Sequence, residues 1–349
     1  MIVAFRRRLV PASSTRRNRL AVLGATFAAL ATVAVQAAPL PPTARLEADI
    51  REMSKQGAGS AGMVGVAAWR LDGSGPRLLI NADRTFPMAS TFKVAVAGRL
   101  LERIDKGELK LDRMITIDPN RMVDSEVIAD RFIHPGVSLS VYNLLELMLT
   151  QSDNTATDYM VEAAGGPAAV TDWVRRQGIR DLRVDGDTDA IIRRFYRMGA
   201  GPFPKALAAK VKSDPNIEAE SLKPNAAFDA DPRDTTTPVA VAELMVRIFN
   251  GKALSPGSTK IMIGIMERCR TGGNRLRALM PPGTQVADKT GTIGGSVNDV
   301  GVITLPHGAG SVVVAVYIKG SDAAYDAREK TIGQIGRAVR DYYLYAAQP

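Results

Sequence analysis

Strand-like runs at the two ends of the chain, with a long stretch of helical periodicity between them, predict an α/β (α+β) fold. The expected architecture is an antiparallel sheet of about five strands, flanked by terminal helices, with an all-helical subdomain inserted in the middle. Three observations carry this. Residues 63–71 and 77–80 are strand-like and separated by Asp72-Gly73-Ser74-Gly75, turn chemistry that tolerates positive φ. Residues 285–289, 299–305 and 311–319 repeat the pattern near the other end, linked by Gly-rich turns. From residue 91 to about residue 268 the apolar spacing is mainly that of helices.

Taken in order, the elements justify themselves locally. Pro39-Leu40-Pro41-Pro42 reads as an extended spacer, and a helical pattern follows over 43–53. Residues 91–104 are apolar on most sides (Phe92, Val94, Val96, Leu100, Leu101, Ile104), the mark of a helix buried mid-domain. Further helices are expected over 140–150, over 155–164 ending at Gly165-Gly166, and over 167–177 ending at Gly178, with Pro at a start and Gly past an end. Residues 191–234 are irregular, and about 193–232 reads as a long loop or insertion holding one helix near 205–212. Thr237-Pro238 opens a helix through Phe249 with Thr as cap, and an amphipathic helix over 324–345 closes the chain. The sheet part is therefore expected at about 43–88 and 269–349, and the helical part at about 89–268, all within one domain over 38–349.

Composition narrows the function. The 349 residues are 46% apolar and 23% charged, a globular balance, and carry a formal charge of +9. Six of the arginines (Arg6, Arg7, Arg8, Arg16, Arg17, Arg19) lie in the first 37 residues, which hold no acid; without them 39 bases face 36 acids. No basic stripe interleaved with aromatics remains, so nucleic acid is not an expected partner. The Arg-rich start, the uncharged run from Leu20 to Val35 and the small residues around Ala37 read as an export signal over 1–37. Thr15-Arg16-Arg17 is similar to a twin-arginine signal. Sixteen residues is short for a membrane span, so a periplasmic or secreted protein with no stable anchor after cleavage is expected, acting as a monomer. Cys269, the one cysteine, reads as a small buried hydrophobe.

Metal and Ser-His-Asp chemistry find little support. The only histidines are His134 and His307, no Gly-x-Ser-x-Gly elbow is present, and nothing has zinc, calcium or phosphate-loop spacing. No cofactor is expected. Three short elements stand out instead. Ser90-Thr91-Phe92-Lys93 places a hydroxyl and an amine on one face of a helix start; a desolvated lysine near another cation is neutral enough to take a hydroxyl proton. Ser152-Asp153-Asn154 forms a tight polar loop after a helix. Lys289-Thr290-Gly291-Thr292 ends a strand, with Gly leaving room for a ligand against the backbone. A Ser-x-x-Lys arises about once by chance in a chain of this length, but the other two triplets should each appear in fewer than about a tenth of such chains.

This trio in order resembles that of class A β-lactamases and penicillin-binding proteins. Over about 44–346 the chain is most similar to class A β-lactamases, with further matching stretches at Arg233-Asp234-Thr235-Thr236-Thr237-Pro238 and Asn298-Asp299-Val300-Gly301. The resemblance implies a β-lactamase/transpeptidase-like fold and a serine hydrolase acting on β-lactams. Ser90 would be the acylated nucleophile, Lys93 its activator and Ser152 the proton donor to the lactam nitrogen. Asn154 would hold the substrate's side-chain amide, while Lys289, Thr290 and Thr292 would bind its carboxylate. The backbone N–H groups of Ser90 and Thr292 would form the oxyanion hole. Asp153 and the Arg233–Pro238 stretch read as structural.

The resemblance breaks at one place. Class A enzymes carry a Glu-x-x-Leu-Asn element whose glutamate activates the deacylating water; here the corresponding stretch, residues 184–192, holds no glutamate. Asp187, Asp189, Glu218 and Glu220 are the alternative carboxylates for that step. With deacylation slow, the chain would instead trap penicillin as a D,D-peptidase-like acyltransferase acting on peptidoglycan stem peptides. A noncatalytic β-lactam or peptidoglycan-binding domain is the third reading.

Overall fold

A computed structural model describes residues 43–132 and 134–346; the expected export signal over 1–37 and the Pro-rich spacer lie outside the described residues. Five strands form the main sheet: β1 (Met63–Arg70), β2 (Leu78–Ile80), β3 (Val286–Ile293), β4 (Ser296–Thr304) and β5 (Ser311–Lys319). Their spatial order is β2-β1-β5-β4-β3, antiparallel throughout. The two chain ends are thus paired side by side at β1 and β5, as the terminal placement of the strand patterns requires.

Among the described residues, ten helices of two turns or more accompany the sheet. They are α1 (Thr43–Ala58), α2 (Lys93–Asp105), α3 (Val141–Thr150), α4 (Asn154–Ala163), α5 (Pro167–Arg176), α6 (Thr188–Tyr196), α7 (Phe203–Ser213), α8 (Pro238–Phe249), α9 (Pro256–Glu267) and α10 (Tyr325–Ala346). Polar caps start several of them: Ser140 accepts from Asn143 N, Asp153 from Ala156 N, and Thr237 from Ala240 N. Each cap satisfies a backbone N–H that the helix leaves without a partner.

Why β5 reads as a nearly unbroken apolar run is clear from the layers. Val312, Val314, Val316 and Ile318 face one core, shared with Ile332, Ile335 and Val339 of α10 and Ile50 of α1. Val313, Ala315 and Tyr317 face the other, shared with α2, α4 and α8. A strand covered on both faces has no polar face to alternate with. Helix α2 lies inside the second core, with Val94, Ala95, Val96, Ala97, Leu100 and Leu101 all buried.

Several elements differ from the sequence reading. A helix begins at Thr188, ahead of the irregular stretch expected from residue 191; Asp187 accepts from Ala190 N at 2.9 Å, and Ile191 and Phe195 bury one face of α6. The stretch 193–232 is more ordered than an irregular insertion, holding the end of α6, all of α7 and single-turn helices at Ile217–Glu220 and Ala226–Asp229. Strand β3 runs on to Ile293, so Lys289 to Thr292 lie inside it rather than at its end. Pairing with β4 through Ser296 supplies hydrogen bonds that residue pattern alone does not show.

The α2–α5 contact is tight enough to test. A Cβ on Gly98 would sit 2.1 Å from the ring of Trp173, which is fully buried. Alanine gains about 1 kcal/mol of helix propensity over glycine, but overpacking a filled core costs about 1–3 kcal/mol. Gly98→Ala is expected to lower the denaturation midpoint; a chemical melt showing equal or higher stability would contradict this packing.

Candidate active site

Three chain segments far apart in sequence meet at one hydroxyl. A 3-10 turn, Ala89–Phe92, carries Ser90 and runs directly into α2, whose first residue is Lys93. Ser152 stands between α3 and α4, and Lys289 stands on β3. Lys93 Nζ lies 3.2 Å from Ser152 Oγ and Lys289 Nζ donates to the same oxygen at 2.9 Å. Lys93 Nζ also donates to Ser152 O at 2.7 Å and to Asn154 Oδ1 at 2.9 Å. Ser90, Ser152, Asn154, Thr290 and Thr292 line one open cavity of about 640 Å³.

Both lysines are fully buried. Burial, with the charge of Lys289 beside it, pushes the Lys93 ammonium well below the usual lysine range, while Asp153 and Asp158 pull weakly the other way. A neutral amine fits the contacts. Its two N–H groups serve two oxygens that can only accept, Ser152 O and Asn154 Oδ1, and its lone pair is left for a hydroxyl proton. Lys289 is lowered to about 8, chiefly by burial, with Asp288 and Asp299 holding it up. It therefore keeps most of its charge at neutral pH, and the two amines are unequal.

The backbone around the site is held in conformations that side chains disfavour. Ala89 has φ 45° and Ser152 φ 56°, each costing about 1–3 kcal/mol. The strain at Ala89 is held in place by Asn298, whose Nδ2 donates to Pro87 O at 2.9 Å and Met88 O at 3.2 Å, and by the Thr91 Oγ1 to Tyr317 Oη contact of 2.7 Å. The Asp153 carboxylate accepts from Ala156 N at 2.8 Å and Ile128 N at 2.9 Å, while its backbone N–H donates to Leu147 O at 3.2 Å. It fixes the Ser152 loop. Gly291 brings β3 against the Ser90 turn: a Cβ there would lie 2.7 Å from Met88 O and 3.1 Å from Ser90 N. No larger residue allows strand and turn to approach this closely.

The model of the "Beta-lactamase enzyme family" matches residues 45–343. The chain belongs to the β-lactamase enzyme family. It is 29% identical over 294 residues to the extended-spectrum β-lactamase PER-1 of Pseudomonas aeruginosa, covering 82% of this chain and 84% of that one. Among solved structures, the ancestral (GNCA) class A β-lactamase aligns with a TM-score of 0.69 and 35% identity over 85% of this chain and 99% of that chain. A β-lactamase from Xanthomonas campestris aligns with a TM-score of 0.69 and 30% identity, over 85% and 97%. This β-lactamase is accordingly a serine hydrolase of class A type, and its mixed helical and antiparallel-sheet fold agrees with those neighbours.

In this β-lactamase the expected carboxylates are not among the residues that line the Ser90 cavity. Asp187 caps α6, Asp189 is ion-paired with Arg193, Glu220 pairs with Lys223 at 2.9 Å, and Glu218 lines a neighbouring apolar cavity. The acids on the cavity wall are Asp124, Glu126, Asp130 and the loop-bound Asp153. Thr188, near which a count from Asn154 would put the family's glutamate, donates its N–H to Asp158, a buried carboxyl raised to about 7 by desolvation and by Asp187.

Arg275 is a wall residue that the motifs did not reveal. It is buried, bonds Thr292 Oγ1 at 2.6 Å and Gly291 O at 3.1 Å, and pairs with Glu329 at 3.0 Å. Its signal in the sequence is the bend at Gly272-Gly273 just before it, where Gly272 has φ 65°. Thr290 Oγ1 is in turn held by Thr271 Oγ1 at 2.6 Å. The cation that would meet a substrate carboxylate, Lys289, is thus fixed on a strand with its neighbouring hydroxyls already oriented.

Because Lys289 lies below its ordinary value, it is charged below about pH 8 and loses that charge as pH rises. The kcat/KM profile for an anionic β-lactam is expected to descend through about pH 8. In Lys289→Arg the guanidinium stays charged, so the limb should move beyond pH 10. Retention of the limb in that variant would contradict the assignment.

Proposed function

We propose that this β-lactamase opens the β-lactam amide through an acyl-enzyme on Ser90. The observation that carries the reading is the convergence of Lys93 and Lys289 on Ser152 Oγ beside Ser90 in one cavity. The neutral Lys93 amine takes the Ser90 Oγ proton as that oxygen attacks the lactam carbonyl carbon. The resulting oxyanion is held by the backbone N–H groups of Ser90 and Thr292, an effect usually worth about 3–4 kcal/mol per donor in acyl transfer. When the C–N bond breaks, the nitrogen takes a proton from Ser152 Oγ, which regains one from the Lys93 ammonium. Asn154 holds the side-chain amide, and Lys289, Thr290 and Thr292 hold the carboxylate. Water then attacks the ester, releasing the product acid and returning the proton to Ser90.

A second reading is favoured by one observation: Asp187, Asp189, Glu218 and Glu220 all lie outside the wall of the Ser90 cavity. For any of them to activate water, Asp187 must leave its cap, Asp189 or Glu220 its ion pair, or Glu218 its own cavity. Release would then be slow, and the enzyme would behave as a D,D-peptidase-like acyltransferase on peptidoglycan stem peptides. A tenfold slowing takes only about 1.4 kcal/mol. The Arg-rich start and the uncharged run after it support export to the periplasm or beyond.

Mass spectrometry of the protein with excess benzylpenicillin, against a Ser90→Ala control, separates these readings. A Ser90-dependent adduct that appears and clears while hydrolysed penicillin accumulates is expected. An adduct that persists for hours would favour the acyltransferase, and no adduct would overturn both.

A further inference from the structure

The segment that leads from α9 to Arg275 meets β3 through a residue with no side chain. Gly272 has φ 65°, and a Cβ there would lie 2.5 Å from Thr290 Cγ2. Arg270 N donates to Thr150 O at 2.9 Å, which ties the same segment to the end of α3, two residues before Ser152. Thr271, between these two anchors, lines the catalytic cavity and sets its Oγ1 2.6 Å from Thr290 Oγ1. Thr290 is itself buried, so its hydroxyl has few directions in which to point.

A pair of hydroxyls has a direction, because one proton lies between them. If Thr290 donated to Thr271, it would present only lone pairs to the cavity, and a carboxylate there would be repelled. If Thr271 donates, Thr290 keeps its proton for the cavity. What stands behind Thr271 decides between the two. Cys269 Sγ lies 3.4 Å from Thr271 Oγ1 and 3.8 Å from Thr271 O. Burial, with the charge of Asp288 beside it, pushes the Cys269 thiol up, so it keeps its own proton at neutral pH. A thiol sulfur accepts only weakly; of its two neighbours, the Thr271 hydroxyl therefore has one good acceptor, Thr290 Oγ1. The next hydroxyl along β3 obeys the same rule. Arg275 Nη2 donates to Thr292 Oγ1 at 2.6 Å, and a guanidinium cannot accept in return.

We propose that Thr271 is a positioning residue for the substrate carboxylate: backed by the Cys269 thiol, it donates to Thr290 Oγ1 and so turns the Thr290 O–H toward the cavity. The inference rests on acylation of Ser90 and on Thr290 as a carboxylate ligand, as proposed above. It gives the lone cysteine a place in the site, as the weak acceptor that leaves Thr271 a single strong partner. Thr290 and Thr292 are then each filled from behind by a donor, and beside Lys289 they offer the carboxylate protons only.

The test is the second-order rate of Ser90 acylation, read by mass spectrometry, for benzylpenicillin and for its methyl ester, which has no anionic carboxylate. Thr271→Val and, separately, Thr271→Ala are expected to lower the acid to ester ratio about tenfold, the scale of one hydrogen bond to a charged group. Thr271→Ser is expected to restore it. Because both substrates report on the same folded fraction, the ratio is insensitive to partial misfolding. In a Thr290→Val background, Thr271→Val is expected to lower the ratio no further; a second fall of about tenfold there would mean that Thr271 meets the substrate directly, and would overturn the positioning role. A ratio unchanged in both removal variants, with Ser90 still acylated, would overturn this inference alone. Absence of any Ser90 adduct in the unaltered protein would overturn the catalytic reading and the inference with it.

Discussion

Burial of two lysines on either side of one serine hydroxyl is the constraint on which the site depends. Lys93 and Lys289 both lie within hydrogen-bonding reach of Ser152 Oγ, at 3.2 and 2.9 Å, so at most ~6 Å separates the nitrogens. At an effective dielectric of about 20, two ammonium charges so placed repel by about 3 kcal/mol, and both are buried. One of them must give up its proton more easily than a surface lysine does. The neighbours decide which: Lys289 has Asp288 and Asp299 behind it on the sheet, whereas burial and Lys289 itself dominate at Lys93. Lys93 is thereby driven furthest toward the neutral amine, with Lys289 the more basic partner facing the same hydroxyl.

The fold exists, from this viewpoint, to keep that arrangement rigid. Lys289 is fixed in the β3–β4 ladder, opposite Val300, and Lys93 sits at the start of a helix packed on nearly every side. Ser152 is locked by the Asp153 carboxylate in a backbone conformation it would leave if free. Asn298 and Tyr317, from β4 and β5, brace the strained turn ahead of Ser90. Core residues of the sheet thus bond the backbone before Ser90 and the side chain after it.

Much of this was legible in the sequence. Alternating and unbroken apolar runs placed all five strands, and β5 was delimited to the residue; cap and glycine signals placed α3, α4, α5 and α8. The three short motifs that hold Ser90, Lys93, Ser152, Asn154 and Lys289 are far apart in sequence, and the fold brings them together. What sequence could not supply was whatever depends on long-range pairing. The extension of β3 through Gly291 is set by β4, the ordering of α6 and α7 by ion pairs such as Arg194 to Asp234, and the orientation of Arg275 by Glu329 on α10. Asp187 and Asp189 were candidate carboxylates for deacylation; as a helix cap and a member of an ion pair they already have partners.

The central claim is that the two amines titrate unequally, with Lys93 the one that is neutral at working pH. Nuclear magnetic resonance of the lysine Cε and Nζ groups across pH 5 to 11, with single Lys93→Arg and Lys289→Arg variants for assignment, reads this directly. The account predicts one resonance that titrates well below the ordinary lysine range and is lost in Lys93→Arg, and a second near pH 8 lost in Lys289→Arg. Two lysines that both remain protonated up to about pH 10 would contradict it.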